Sequence, residues 1–170
     1  TPGPYGEPKV FLVREARSRW LRVLLPMRPN GVEGWIRRTD VRLSRHRFAA
    51  RVDLSERRLT AYRGSNVILR RSVAIGMPQS PTPTGPFYIT VLARAPDPTG
   101  PYGPLALGLS GFSEVYTEFN GGNGQIAIHG TNAPDLIGQA ASSGCLRMRN
   151  DDVVRLARYL PLGTPVRIVP

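Results

Sequence analysis

From residue 125 to residue 150 the chain reads QIAIHGTNAPDLIGQAASSGCLRMRN. This segment contains the only cysteine of the chain, Cys145, and one of its two histidines, His129. A free thiol with a pKa of about 8.5 is mostly protonated at neutral pH and needs a neighbouring base to become a useful nucleophile. Because His129 supplies such a base, the pair predicts a Cys/His site. The alternative, which the residues alone leave open, is that Cys145 packs as a small buried hydrophobic residue.

The residues that flank the pair favour the Cys/His site. The largely apolar residues 125–128 predict a strand that presents His129 at its end. Gly130 follows His129 and Gly144 precedes Cys145, and a glycine lets the backbone approach a ligand closely. Adjacent backbone N–H groups at such a turn are suited to an oxyanion site.

The rest of the chain predicts a mainly β protein with one short helix. Apolar segments bounded by Gly, Pro, Ser and Asn predict strands at residues 10–13, 20–25, 34–37, 41–43, 48–53, 59–63, 67–75, 87–93, 125–129 and 166–169. The pair Asn30-Gly31 predicts a hairpin turn. The helix is predicted just after Cys145, with Asn150 as its cap and Pro161 at its end.

Length and composition narrow the class of protein. The 170 residues suffice for one hydrophobic core, or for one core with a small satellite domain. No apolar run approaches the roughly 20 residues that span a bilayer, so we expect a soluble chain without a membrane segment. The chain begins at Thr1 without an initiating Met, which indicates a processed start and leaves open the loss of a signal or anchor. A single Cys excludes an internal disulfide, and the sequence shows no metal-spaced cluster, so neither a metal nor a cofactor is predicted.

The net charge of +11 lies in the first part of the chain. Residues 1–71 hold 17 basic and 6 acidic side chains, whereas residues 72–170 hold 6 of each. Such a basic surface favours nucleic acid, anionic lipid or an anionic polymer as a partner. Nucleic acid is disfavoured because the arginines alternate with strand-like apolar positions and no basic helix or base-stacking motif is visible. The alternative is that these arginines form the solvated face of β-strands.

The first part of the chain resembles the bacterial SH3-like modules that precede cell-wall enzymes. The resemblance rests on residues 20–25 and 34–41, which include both tryptophans, Trp20 and Trp35. The predicted domains are therefore an SH3-like module over residues 1–45, truncated in its usual first strands, and a catalytic domain over residues 46–170.

The second part resembles the L,D-transpeptidase catalytic domain of the YkuD type, from about residue 48 to residue 169. Three blocks carry the resemblance: TPTGPF at residues 82–87, IHGTN at residues 128–132, and IG at residues 137–138 with SSGCLRMRN at residues 142–150. They occur in the family's order and with the family's interval between histidine and cysteine. The resemblance implies a YkuD-type β-sandwich with one short helix after the cysteine.

The resemblance also implies roles for the site residues. Cys145 is the implied nucleophile, His129 is the base, and the backbone carbonyl of Gly130 orients the imidazole. The N–H groups of Gly144 and Cys145 are candidates for the oxyanion hole. Arg147 is a candidate for holding a substrate carboxylate, and the alternative for it is a structural salt bridge. The remaining candidates for the oxyanion or substrate site are Ser143, Thr131 and Asn132.

One position departs from the family pattern, which usually reads Ser-His-Gly-Cys before the nucleophile. Ser143 stands here in place of that second histidine. Because the resemblance makes the upstream His129 the base, the chemistry is expected to persist. The departure puts in doubt any role of a second imidazole in packing the cleft or tuning the thiolate.

The implied activity is the cross-linking of peptidoglycan outside the cytoplasm, in the bacterial cell wall or periplasm. Cys145 would form an acyl-enzyme with a stem peptide and release D-alanine. Attack by the amine of a second stem peptide would give a 3-to-3 cross-link, and attack by water would make the protein an L,D-carboxypeptidase. A third alternative is a degenerate domain that only binds the cell wall. We expect a monomer whose partners are stem peptides and, through the basic N-terminal part, an anionic cell-wall polymer.

Overall fold

The computed structural model describes residue 6, residues 8–119 and residues 121–170, so the expected processed start at Thr1 lies outside the described residues. The first strands form an antiparallel sheet of three: β1 (Leu12–Ala16), β2 (Trp20–Leu24) and β3 (Glu33–Arg37). The predicted hairpin turn between β2 and β3 is confirmed, and Gly31 within it has a φ of +87°. The predicted strand at residues 41–43 is wrong, because no neighbouring strand pairs with these residues; a short 3-10 helix, Arg38–Asp40, precedes them.

The larger sheet contains eight strands. They are β4 (Phe48–Asp53), β5 (Arg58–Arg63), β6 (Asn66–Ser72), β8 (Gly85–Arg94), β9 (Leu105–Phe112), β10 (Gln125–His129), β12 (Leu146–Arg147) and β13 (Pro165–Val169). Across the sheet the order is β12, β10, β9, β8, β13, β4, β5, β6. The pairs β10/β12 and β13/β4 are parallel, and the other neighbours are antiparallel. A small parallel pair, β7 (Ile75–Gly76) and β11 (Ala140–Ser142), lies beside it.

The eight-stranded sheet curls around one hydrophobic core together with the helix α1 (Asn150–Tyr159). Alternate side chains of the strands point into the core, as the two-residue period of a half-buried strand requires. Val52, Leu59, Ile128 and Ile168 are fully or almost fully buried there. Over the described residues the fold is therefore mainly β with one α-helix, which follows the cysteine, and this confirms the predicted fold class. No helix among the described residues has the length and apolar character needed to cross a bilayer.

The start of α1 differs in one respect from the prediction. The N-cap position belongs to Arg149, and no side chain caps the first turn. Asn150 is instead the first helical residue, and its side chain accepts a hydrogen bond from the backbone N–H of Thr131 at 2.8 Å. The predicted capping role of Asn150 is therefore wrong, because its amide oxygen binds the loop that follows β10.

Candidate active site

His129 is brought to the cysteine by the pairing of β10 with β12. The two strands are parallel, and His129 lies opposite Arg147 in the register. The backbone N–H of Met148 donates to the His129 carbonyl at 2.8 Å, which continues the pairing beyond β12. Because Cys145 directly precedes β12, this arrangement places the cysteine loop against the end of β10.

The loop before Cys145 is held in shape by the hydroxyl of Ser142. This hydroxyl donates to the Cys145 carbonyl at 2.5 Å and accepts the backbone N–H of Gly144 at 3.2 Å. Gly144 has a φ of +113°, a conformation that residues with a side chain rarely adopt. The glycine before the cysteine is therefore required by the backbone geometry of the turn that presents the thiol.

A second segment, residues 76–82, holds this loop in place by hydrogen bonds. The backbone N–H of Met77 donates to the Ser142 carbonyl at 2.9 Å, and the Ser80 hydroxyl approaches the same carbonyl at 3.4 Å. The hydroxyl of Thr82 in turn accepts the N–H of Gly76 at 2.9 Å. Thr82 is buried, so the first residue of the TPTGPF block has a structural role in the support of the cysteine loop.

Cys145 and His129 line the same cleft. Its aromatic lining includes Tyr102, whose ring centroid lies 4.9 Å from that of the His129 imidazole. Cys145 is half-buried and His129 is buried, with 3% of its surface exposed. The other residues along the cleft are Pro101, Ser113, Tyr116, Phe119, Gly124, Gln125, Ile126, Ser142, Ser143 and Arg147.

The imidazole of His129 is oriented by the residue that follows it. Its Nδ1 lies 2.6 Å from the backbone carbonyl oxygen of Gly130. A carbonyl oxygen only accepts hydrogen bonds, so Nδ1 carries the proton and Nε2 keeps its lone pair. Gly130 has no room for a side chain, because a β-carbon there would collide with the amide oxygen of Asn150.

Burial keeps both groups of the pair uncharged. Desolvation lowers the pKa of His129 to about 4, the Gly130 carbonyl opposes this shift, and the positive charge of Arg147 adds to it. Desolvation also raises the pKa of the Cys145 thiol, against the backbone N–H of Ala127 and the charge of Arg147, which lower it. At neutral pH the cleft therefore holds a protonated thiol and a neutral imidazole.

Arg147 brings to the cleft a positive group that forms no ion pair with any described residue. Its Nε atom is buried and has no hydrogen-bond partner among the described residues, and its guanidinium forms no salt bridge with any of them. The structural salt bridge considered for Arg147 is therefore absent within that part of the chain. A buried donor without a partner is costly, and an anionic ligand would satisfy it.

Residues 47–168 match the YkuD family, the L,D-transpeptidase catalytic domain. The chain belongs to this family. The YkuD protein of Bacillus licheniformis is 40% identical to it over 119 residues, which cover 70% of this chain and 64% of that protein. The YkuD protein of Bacillus subtilis is 39% identical over 117 residues, covering 69% of this chain and 63% of that protein. The chain thus spans slightly less than two thirds of each of these relatives.

The solved structure of L,D-transpeptidase 3 from Mycobacterium tuberculosis has a similar fold. It superposes with a TM-score of 0.59 at 12% sequence identity, over 89% of this chain and 68% of that one. At this identity the likeness concerns the fold alone.

Two residues that the sequence placed in the oxyanion or substrate site, Thr131 and Asn132, lie outside the cleft of this L,D-transpeptidase domain, whereas Gly144 lies in the cysteine loop. Thr131 is buried outside the cleft, where its N–H is bound by Asn150 and its hydroxyl accepts the N–H of Ala133 at 3.0 Å. Asn132 is exposed and does not line the cleft. The N–H of Gly144 is engaged by Ser142, so it is not free to bind an oxyanion in this arrangement. Ser143 and Arg147 do line the cleft.

The sequence did not reveal two residues that shape the site of this YkuD domain. Asn150 fixes the loop after His129 by its bond to Thr131, and the helix-cap pattern that contains it suggested another role. Tyr102 packs on the imidazole from a loop more than twenty residues away in sequence, and no motif marks it. Among the described residues, no group of three or more His, Cys, Asp or Glu side chains is arranged to hold a metal ion.

Proposed function

We propose that this protein is a peptidoglycan L,D-transpeptidase that uses Cys145 as its nucleophile and His129 as its base. The observation that supports this most strongly is the shared cleft of the two residues, with the imidazole oriented by Gly130. The orientation leaves Nε2 as the nitrogen that accepts the thiol proton. The backbone carbonyl takes the place that an acidic side chain holds in other catalytic triads.

The proposed reaction begins with attack of the Cys145 sulfur on a peptide carbonyl of the donor stem. This carbonyl joins the third residue, at its L-centre, to the following D-alanine. As the S–C bond forms, the thiol proton moves to Nε2 of His129, and the imidazolium then passes it to the amine of the departing D-alanine. The products of this half-reaction are a thioester on Cys145 and free D-alanine.

The second half-reaction resolves the thioester. The side-chain amine of a second stem peptide attacks the carbonyl, loses a proton to His129, and releases the thiol of Cys145 with formation of a 3-to-3 cross-link. Water in place of the amine gives hydrolysis, the L,D-carboxypeptidase alternative. The neutral resting pair fits a mechanism in which the proton moves as attack occurs rather than beforehand.

The oxyanion of the tetrahedral intermediate requires a donor on the cysteine loop. The N–H of Cys145 has no acceptor among the described residues, whereas that of Gly144 is bound by Ser142. We therefore assign the oxyanion contact to the Cys145 N–H and leave Gly144 its role in the turn. The guanidinium of Arg147, whose buried Nε has no hydrogen-bond partner among the described residues, is the candidate partner of a stem-peptide carboxylate.

Mass spectrometry tests the proposed function directly. The protein is incubated with a disaccharide tetrapeptide, and the mixture is analysed for D-alanine, cross-linked dimer and hydrolysed tripeptide. Dimer and D-alanine together support transpeptidation, and tripeptide without dimer supports the carboxypeptidase. Absence of all three products, with binding retained, would instead support the degenerate cell-wall binding domain.

We further propose that the protein works outside the cytoplasm and that its basic N-terminal part binds an anionic cell-wall polymer. In that part, Glu15 and Glu33 form salt bridges with Arg14, Arg17 and Arg22. The exposed arginines Arg19, Arg38, Arg42 and Arg45 form no salt bridge with any described residue. These four supply the charge for the contact.

Binding to purified sacculi is expected to fall steeply as salt rises from 0.1 M to 1 M. The screening length drops from about 10 Å to about 3 Å over this range, which weakens exposed charge contacts. Charge reversal with Arg38→Glu and Arg42→Glu is expected to reduce binding at low salt, measured by cosedimentation. The matched control reverses two exposed arginines of the catalytic part, Arg94→Glu and Arg167→Glu. Salt-insensitive binding, or equal losses in both double variants, would contradict docking through the basic part.

A further inference from the structure

The turn between β2 and β3 reaches across to the catalytic part of the molecule. The guanidinium of Arg28 donates to the Tyr116 carbonyl at 2.9 Å and to the Ser113 carbonyl at 3.4 Å. The same group lies 4.7 Å from the centroid of the Phe112 ring. A planar guanidinium suits this arrangement, because it offers several donors in one plane and also packs on an aromatic face.

Asn30, two residues further along the turn, adds a second pair of contacts. Its side-chain amide donates to the Phe112 carbonyl at 2.8 Å and accepts the Phe112 N–H at 2.8 Å. This is the pair of bonds that a neighbouring strand would make with a backbone residue. Phe112 is the last residue of β9, so the Asn30 side chain makes strand-like hydrogen bonds at the end of a strand of the eight-stranded sheet.

The segment that Arg28 and Asn30 contact forms one side of the cleft. We define the outer wall as residues 112–119 and 121–124, and four of its members line the cleft: Ser113, Tyr116, Phe119 and Gly124. The wall is closed at its base by the Ser113 N–H, which donates to the Gly124 carbonyl at 2.8 Å.

The internal contacts of the wall join residues that are close in sequence. The backbone N–H groups of Phe119 and Gly122 each donate to the other's carbonyl at 2.9 Å. The Ser113 hydroxyl accepts the N–H groups of Val115 and Tyr116, and the Tyr116 and Phe119 rings lie 5.4 Å apart. Val115 and Phe119 are substantially exposed, so little apolar burial holds them. Two of the carbonyls in this segment depend on Arg28, a residue about 85 positions away in sequence.

From these contacts we infer that the N-terminal sheet shapes the active-site cleft through its β2–β3 turn, and that Arg28 and Asn30 are positioning residues for the outer wall. They act on the donor stem peptide through Tyr116 and Phe119, which line the same cleft as Cys145. Their role is to keep the wall in the shape that receives substrate. The effect on turnover rests on the proposed function, whereas the contacts of Arg28 and Asn30 with the outer wall do not depend on any substrate.

Two measurements on Arg28→Ala test the inference. Loss of the guanidinium leaves the Ser113 and Tyr116 carbonyls without their donor, so hydrogen exchange of the wall amides is expected to rise about tenfold or more. The KM for the tetrapeptide donor is expected to rise by a similar factor, with a smaller change in kcat. The rate at which iodoacetamide alkylates Cys145 is expected to stay unchanged, because a small reagent reaches the thiol without binding to the outer wall. Arg28→Lys should restore these properties only in part, since an ammonium lacks the planar fork.

Arg19→Ala is the matched control, because Arg19 is an exposed arginine of the turn between β1 and β2, and it lies outside the β2–β3 turn that contacts the wall. Asn30→Ala provides a second variant should Arg28→Ala fail to fold, and the same rise in wall exchange is expected for it. Unchanged exchange in the wall of both variants would overturn the inference, as would equal effects from Arg19→Ala. If the parent protein turns over no donor, the proposed function fails, but the exchange measurement still shows whether Arg28 and Asn30 hold the outer wall in shape.

Discussion

Cys145→Ala is expected to abolish the release of D-alanine from a tetrapeptide donor and to leave the fold intact. Cys145 is the only thiol of the chain, so no other residue replaces it as a sulfur nucleophile. Its side chain is small and half-buried in a loop, and its loss removes little packing. D-alanine release and the thermal unfolding midpoint, measured on the same preparation, test both parts of the expectation.

A carbapenem provides an independent readout of the same sulfur. Its ring carbonyl, presented to an activated thiol, is expected to react as the donor amide does and to add one molecule to the parent protein. Intact-mass measurement should show this single adduct in the parent and none in Cys145→Ala. The assignment of Cys145 as the nucleophile would be contradicted if the variant released D-alanine at a rate near that of the parent. An adduct on another residue would contradict it as well.

His129→Ala is expected to lower the rate by about 100-fold or more, the usual scale for loss of a general base. The variant keeps the thiol but has no group at Nε2 to receive its proton. The matched control is His46→Ala, which removes the other histidine of the chain. His46 is exposed, and its Nδ1 accepts only the backbone N–H of Phe48 at 3.3 Å, so activity should stay within a small factor. Comparable losses in the two variants would contradict the role of His129.

The pH profile should carry the signature of the buried imidazole. A base works in its neutral form, and His129 is neutral at every pH above its lowered pKa of about 4. The acid limb of kcat/KM is therefore expected well below 6.5, near pH 4, rather than at the ordinary value for histidine. Because the pKa of the Cys145 thiol is raised, its alkylation rate should climb only above the ordinary thiol pKa. An alkylation rate already at its plateau at pH 6 would show a preformed thiolate and contradict the neutral pair.

Most strands could be predicted from the sequence because their side chains alternate. β4 and β10 match their predicted ranges, residues 48–53 and 125–129, to the residue. Strand β9 was missed, because LALGLSGF contains two glycines and no β-branched residue. The structure explains the glycines: a β-carbon on Gly108 would collide with Val91, and one on Gly111 with Phe87. Glycine appears here because side chains of the neighbouring strand β8 fill its space.

The composition of the candidate site was also readable from the sequence. The single thiol, the histidine at the end of an apolar strand and the glycine before the cysteine all belong to one short segment. The pairing of β10 with β12 brings this segment together locally, so no distant part of the chain is needed to join Cys145 to His129.

Only the tertiary structure decided how the backbone donors and the distant residues are used. The N–H of Gly144 donates to the hydroxyl of Ser142. The side-chain oxygen of Asn150 accepts the N–H of Thr131 instead of capping its helix. Buried polar groups need hydrogen-bond partners, and the fold decides which partners lie within reach. The contact of Arg28 with the outer wall joins residues some 85 positions apart. A linear motif determines which residues share a short segment, but it does not show which distant segments come into contact in the folded chain. The sequence by itself therefore determined the family, most strands and the Cys/His pair, and only the tertiary structure showed that the β2–β3 turn contacts the outer wall of the cleft through Arg28 and Asn30.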